Sequence, residues 1–155
     1  MLLGGGVFAF EPRMAIFKRY PKTCYIALRT CAEGYELTYK QFNAFCRALP
    51  GTTYVMQWGG AHVWKVGGKV FAIGGWDDGE PHITFKVSDI AFEAMQTQAG
   101  LRPAPYLASR GLKWIQHFAK PGLTDAELKN YIKESYALIA RGLSKKTRGG
   151  IGLID

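Results

Sequence analysis

The rhythm of apolar and polar positions changes near Tyr39. Before it, residues 1–37 keep neither a helical nor a strand period. Gly4-Gly5-Gly6, two prolines and scattered aromatics mark them as an appended segment, with Arg13, Lys18, Arg19, Lys22 and Arg29 set against Glu11, Glu33 and Glu36. A transit segment or an over-extended gene start would both look like this. The second is favoured, and Thr23 to Thr30 is the one stretch there that could add a strand.

From Thr38 the pattern becomes regular. Thr38 reads as a helix N-cap, its hydroxyl placed to accept an orphan backbone N–H. Phe42, Phe45, Cys46 and Leu49 recur at helical spacing, and Pro50-Gly51 ends the run. Thr53 to Trp58 is rich in β-branched and aromatic residues and predicts a strand. Two further apolar runs, His62 to Val66 and Lys69 to Ile73, flank Gly67-Gly68. Glycine supplies the positive φ of a tight hairpin turn. A regular hairpin sets Val66 opposite Lys69, Lys65 opposite Val70 and Trp64 opposite Phe71. One face then carries Trp64, Phe71 and Ile73, and the other Val63, Lys65, Val70 and Ala72.

Asp77-Asp78-Gly79 with Pro81 predicts the next turn. His82 to Val87 alternates, with Ile83, Phe85 and Val87 inward and His82, Thr84 and Lys86 outward. Ser88 or Asp89 caps a helix to about Gln98, with Ile90, Phe92, Ala94 and Met95 as its buried positions, and Gly100 ends it. Arg102-Pro-Ala-Pro-Tyr106 is extended, because two prolines remove backbone donors. Leu112 to Phe118 predicts a strand. Thr124, with Glu127 three residues on, opens the longest helix as a capping box. That helix carries an apolar stripe of Leu128, Tyr131, Ile132, Leu138 and Ile139. Ser135 is the small residue where the stripe approaches the sheet.

Strands therefore cluster, and helices are too few to alternate with them. The fold class is α+β: two layers, a mainly antiparallel sheet with helices on one face, in the order α-β(3–4)-α-β(2)-α. The domain organisation expected is an N-terminal extension at 1–37, one domain at 38–146 and a flexible tail at 147–155.

Composition narrows the function classes. Hydrophobic residues make up 48% and charged residues 21%, which suits a globular chain of 155 residues. The net charge of +8 favours anionic partners, nucleic acid before acidic membrane surfaces, although many small basic proteins bind neither. Cys24, Cys31 and Cys46 are odd in number and lack a CxxC pair, so neither a disulfide framework nor a zinc site is expected. His62, His82 and His117 stand apart and read as surface or hairpin histidines. No apolar run approaches the roughly 20 residues of a membrane span, and the cytoplasm is the expected location. No P-loop, dinucleotide fingerprint or nucleophile elbow is present, and Asp77, Asp78 and Glu80 are too closely spaced for a calcium loop. The expectation is a monomeric binding module, not an enzyme, with no catalytic residues, metal or cofactor.

Several motifs then fall in one order. They are Leu49-Pro50-Gly51-Thr52-Thr53, Trp58-Gly59, the hairpin from Val63 to Ala72, and Ile83-Thr-Phe-Lys-Val87. After them come Pro103-Ala104-Pro105-Tyr106-Leu107, Trp114, Leu123-Thr-Asp-Ala-Glu-Leu128 and Glu134-Ser135-Tyr136 with Leu143 and Lys145-Lys146. Each is weak alone. In this order, from about Thr38 to Lys146, they resemble the MmcQ/YjbR family. The resemblance implies a compact two-layer fold of the kind likened to CyaY and to secretion chaperones. It also implies a DNA-binding label that rests on a "double wing" analogy of fold, and it brings no agreed catalytic residues.

A DNA-binding reading needs cations that meet phosphates. The candidates are Lys65 and Lys86 on the outward sheet face, Lys69 at the hairpin tip, Arg102, Arg110 and Lys113 around the proline loop, and Lys145 and Lys146 with Arg148 in the tail. Trp58 and Trp114 would stack on bases if they faced outward, although core packing is their ordinary role. No helix rich in Arg, Asn or Gln supports base-specific readout. The alternative is a peptide- or protein-interaction module, using a sheet face lined by Val63, Val70 and Ala72.

Overall fold

The computed structural model describes residues 37–77 and 80–153. They belong to a unit that runs from Tyr35 to Asp155. The expected extension, the strand considered at Thr23 to Thr30, and Asp78-Gly79 of the second turn lie outside the described residues. Leu37 is the exception: it is buried in the core, and its backbone N–H donates to Asp125 Oδ1 at 2.9 Å.

In chain order the elements are α1 (Tyr39–Arg47), β1 (Thr52–Gln57), β2 (Ala61–Val66), β3 (Lys69–Asp77) and β4 (Glu80–Lys86). Then come α2 (Asp89–Met95), β5 (Leu101–Pro103), a 3-10 turn (Ala108–Arg110), β6 (Trp114–His117), α3 (Asp125–Arg141) and α4 (Lys145–Gly150). The six strands form one antiparallel sheet in the order β1-β2-β3-β4-β6-β5. This is the α+β architecture the pattern predicts. Thr38 caps α1 as expected and, beyond that expectation, Gln41 completes a capping box with it; the expected capping box at Thr124/Glu127 starts α3. At the second box, the N–H and hydroxyl of Thr124 both donate to the Glu127 carboxylate and lower its pKa.

Two short elements differ from their sequence patterns. The helix expected from Ser88 to Gln98 stops at Met95. With only two turns it presents a narrow inward stripe, so Phe92 and Met95 are buried while Ile90 is 86% exposed and Ala94 is also exposed. Residues 145–150, where the sequence pattern suggests an irregular basic tail, form α4. Its first turn is capped by Ser144 Oγ accepting from Thr147 N at 3.1 Å.

The central hairpin departs in register. Gly67 and Gly68 both have positive φ, and Val66 pairs Lys69 and Lys65 pairs Val70 as expected. The next pair is Trp64 with Ala72, not Phe71, because β3 carries an extra residue there. Such a bulge moves every later residue to the other face. Ala72 therefore sits on the helix side between Trp64 and Phe85. Ile73 lies on the opposite side between Val63 and Thr84, the reverse of a regular hairpin. Phe71, at the bulge, is fully buried.

The long helix closes the gap that the bulge opens. Pairing between β3 and β4 runs from Asp77↔Glu80 to Ala72↔Phe85 and stops. The following positions are Phe71 and Lys86. Ser135 Oγ donates to Phe71 O at 2.6 Å and accepts from Lys86 N at 2.9 Å. One hydroxyl thus stands where a rung of the ladder would be. Around it Tyr131 stacks on Phe85, Tyr136 meets Phe71 edge-on, and the Tyr136 hydroxyl donates to Pro50 O. The hairpin tip is held at the same time: a Cβ on Gly67 would come within 2.6 Å of Leu143 Cδ1 and 2.9 Å of Thr147 Cγ2. Only a glycine lets the turn seat beneath the start of α4.

His117 is not a surface histidine. It lies on the helix side of β6 opposite Ile83 and Leu101, is 8% exposed, and neither ring nitrogen has a hydrogen-bond partner. The Gly122 backbone packs against the ring so closely that a Cβ there would collide with it. Burial lowers the His117 pKa below the usual 6.5, the Asp125 carboxylate opposes that shift, and His82 adds to it.

This core can be tested at two residues. Ser135→Ala strands a buried carbonyl and a partly buried N–H, at about 1–3 kcal/mol for each group left without a partner. For a domain of this size that is expected to lower Tm by roughly 10 °C in a thermal melt, and a drop within error would mean the bridge carries no stability. For His117 the folded pKa lies below the unfolded one, so the unfolded chain takes up the proton first. Its contribution is complete above the unfolded pKa and is lost as pH falls toward the folded value. Tm is expected to fall as pH drops below the usual histidine value of 6.5, and His117→Leu to flatten that slope. The His62 pKa is also lowered by burial and its slope has the same sign, so the wild type minus the variant isolates His117.

Candidate nucleic-acid interface

Cations lie on both layers, whereas the acids are unevenly placed. Among the described residues the acids lie on helices, Asp89 and Glu93 on α2 and Asp125, Glu127 and Glu134 on α3, or at the strand ends Asp77 and Glu80 that lead into the β3–β4 turn. The remaining strand positions carry Lys65, Lys69, Lys86 and Arg102 and no acid. A surface that gathers cations from several strands favours a polyanion, which gains by releasing its own condensed counter-ions when it binds there.

The alternation of the strands decides which cations share a face. Lys65 points to the side opposite the helices, in line with Val55-Val63 parity on β1 and β2. Lys86 shares that side, next to Trp114 on β6. The two lysines are separated by β3, so their backbones lie roughly 10 Å apart. Arg102 on β5 joins the same face through a lateral chain. Its Nε donates to Gln116 Oε1 at 2.8 Å, and Gln116 Nε2 donates to Thr84 Oγ1 at 3.2 Å. The guanidinium also lies over the Phe118 ring at 4.5 Å. Held at Nε, it keeps its two terminal nitrogens in a fixed plane, the geometry that suits a phosphate.

The other candidates divide. Lys69 at the hairpin tip and Lys145 and Lys146 on α4 are exposed, and the packing of Leu143 and Thr147 against Gly67 brings them to one end of the sheet. Arg110 is exposed on the 3-10 turn. Lys113 leaves the group. One residue out of phase with Trp114, it turns to the helix side, where it pairs with Glu93 at 3.5 Å and lies over the Phe92 ring at 4.6 Å. The proline loop shows a local run of cations in sequence, and only strand parity reveals that this one is already neutralised.

The tryptophans also part. Trp114 is 6% exposed and, with Ala104, is buried apart from the main core; Ala104 N donates to Trp114 O and Trp114 N to Leu112 O. It supports the face and cannot stack on a base. Trp58, 67% exposed, sits beyond the end of β1. Sequence reasoning missed Gln116, whose amide orients Arg102; the Gln116↔Arg102 pair across β5 and β6 appears only once the sheet order is known. The apolar face of the peptide-binding alternative loses Ala72 to the helix side and Val63 to full burial.

Other chemistry has little support in the geometry. Among the described residues no three His, Cys, Asp or Glu side chains are grouped to hold a metal ion. Cys46 is fully buried, and burial pushes its thiol pKa far up, so it packs as a small apolar residue. Among the described residues no helix is long and apolar enough to cross a membrane.

No curated protein matches the chain. Among solved structures, Deinococcus radiodurans protein DR2400, whose domain is designated DUF419, is similar in fold with a TM-score of 0.66. The two are 20% identical, and the similarity covers 76% of this chain and 90% of that one. A family model for YjbR matches residues 47–138, which takes in β1 to β6, α2 and most of α3. That match spans more than half of the sequence, and the chain belongs to the YjbR family.

Proposed function

We propose that this protein is a binding module for nucleic acid, with low sequence specificity, and that it works through the sheet face opposite the helices. The observation that carries this reading is the placement of Lys65, Lys86 and Arg102 on one face by strand register. Thr53 and Gln116 add neutral hydrogen-bonding groups to the same face, and the buried Thr84 holds the Gln116 amide. Lys69, opposite the core residue Val66, and Lys145 and Lys146 on α4 lie at the hairpin end on the helix side, next to this face and not on it.

The face is broad and its cations are set by backbone register. Contacts of this kind position a phosphate backbone and do not read bases. No helix among the described residues presents a row of Arg, Asn or Gln toward it, so affinity would come from counter-ion release and fall steeply with salt. The +8 net charge would speed encounter with any polyanion.

Fluorescence anisotropy with labelled duplex and single-stranded DNA over a salt series tests this. The full chain is expected to bind in the micromolar range or tighter. Lys65→Glu/Lys86→Glu/Arg102→Glu should weaken binding at least about tenfold and make the salt slope shallower by about 0.9 for each phosphate of the duplex that the variant no longer neutralises. Lys113→Glu, which removes a cation already paired with Glu93, should change binding much less. Unchanged binding by a folded triple variant would remove the face from the interface. No binding at low salt would remove the function.

A further inference from the structure

The two edges of the sheet are unlike. The β5 edge is three residues long and carries Arg102 and Pro103. A charge and a missing N–H both discourage another strand from adding there. The β1 edge has none of these devices. Thr52–Gln57 is six residues of uncharged sequence, contains no proline, and pairs with β2 in unbroken register. Along it Tyr54 is 41% exposed and Met56 57%, and Trp58 just beyond is 67% exposed. Among the described residues no strand lies outside β1.

We propose that this chain pairs with a second copy of itself through β1, in an antiparallel β1–β1 contact centred on Val55. Centred there, Val55 faces its own counterpart, Tyr54 faces Met56, and Thr53 faces Gln57. An aromatic ring then meets a thioether on one side of the sheet, and two polar side chains meet on the other.

Charge selects this occupant. Each copy carries +8, so two copies repel wherever lysines or arginines come together. β1 is a strand from which every cation is missing, and two copies can meet there without burying or opposing one. A polyanion would gain nothing from an uncharged edge, which sets this surface apart from the lysine face. The open backbone edge and the exposed side chains would together cover on the order of 1,000 Å², the low end for a specific interface. A dimer with a micromolar dissociation constant follows, dissociating on dilution. In such a pairing opposed residues point to the same side, so the two lysine faces would lie next to each other on one surface.

Sedimentation equilibrium of the full chain over a micromolar concentration series, at low and high salt, tests the pairing. The expected result is a monomer–dimer equilibrium that salt leaves unchanged or strengthens, because screening relieves the repulsion of like charges. Nucleic-acid binding responds to salt in the opposite sense, so failure of one reading does not mimic failure of the other. Thr53→Lys/Met56→Lys changes two solvent-facing strand residues and should weaken the dimer at least about tenfold with an unchanged circular-dichroism spectrum. As a register test that needs no loss of function, Val55→Cys should cross-link to itself on mild oxidation, beyond any cross-linking of the unsubstituted chain, while Thr53→Cys should not. A monomer at every concentration would overturn the proposal. So would a dimer that survives the lysine pair, a dimer that high salt dissolves, or Val55→Cys that gives no cross-link.

Discussion

One side-chain hydroxyl sets the distance between the two layers. The bulge in β3 leaves Phe71 and Lys86 without each other as ladder partners, and Ser135 Oγ satisfies both. For that hydroxyl to reach a strand carbonyl at 2.6 Å, α3 must lie directly on the sheet at this point. A larger residue would hold the helix away, and an apolar one would leave two polar groups dry. The aromatic contacts of Tyr131 and Tyr136 with Phe85 and Phe71 flank the bridge and fix the rotation of the helix about it. From there α3 runs on to Leu143 and α4, which clamp the hairpin tip through Gly67.

The same bulge shapes the outer surface. By shifting β3 one residue it sends Ile73 outward and Ala72 inward, so the outer face has an apolar middle row of Val55, Val63 and Ile73 with cations beside it. Lys65 precedes the bulge and keeps its outward direction from the hairpin turn. Lys86 keeps its own from β4. Cations on separate strands thus share a face because each is fixed by a different local constraint, and the sheet order then adds Arg102 from the far edge.

Much of this is legible in the residues, and the part that is not has a common cause. The N-caps, the Gly67-Gly68 turn, the alternation of β4 and the stripe of α3 are local signals, each set by a few neighbouring residues. Ser135 is readable as the point of closest approach, because a lone small residue in an apolar stripe marks one. The bulge is not readable. Its partner group lies 64 residues away, and nothing between Lys65 and Ile73 shows that one residue will be left over. The burial of His117, the pairing of Lys113 with Glu93 and the orientation of Arg102 by Gln116 likewise depend on which strands are neighbours. The lysine set named from sequence mixes outward and inward positions for that reason, and strand parity sorts it.

The Lys86 amide also has an unusual dependency. An ordinary rung in a sheet is protected from solvent by the neighbouring strand, and its deuterium uptake reports the opening of that pair. The Lys86 N–H is held by a helix side chain. Its exchange therefore measures how often the two layers separate, while the adjoining strands stay paired. A single resonance in the middle of the sheet becomes a clock for the lifting of α3, read without a label and without altering a residue.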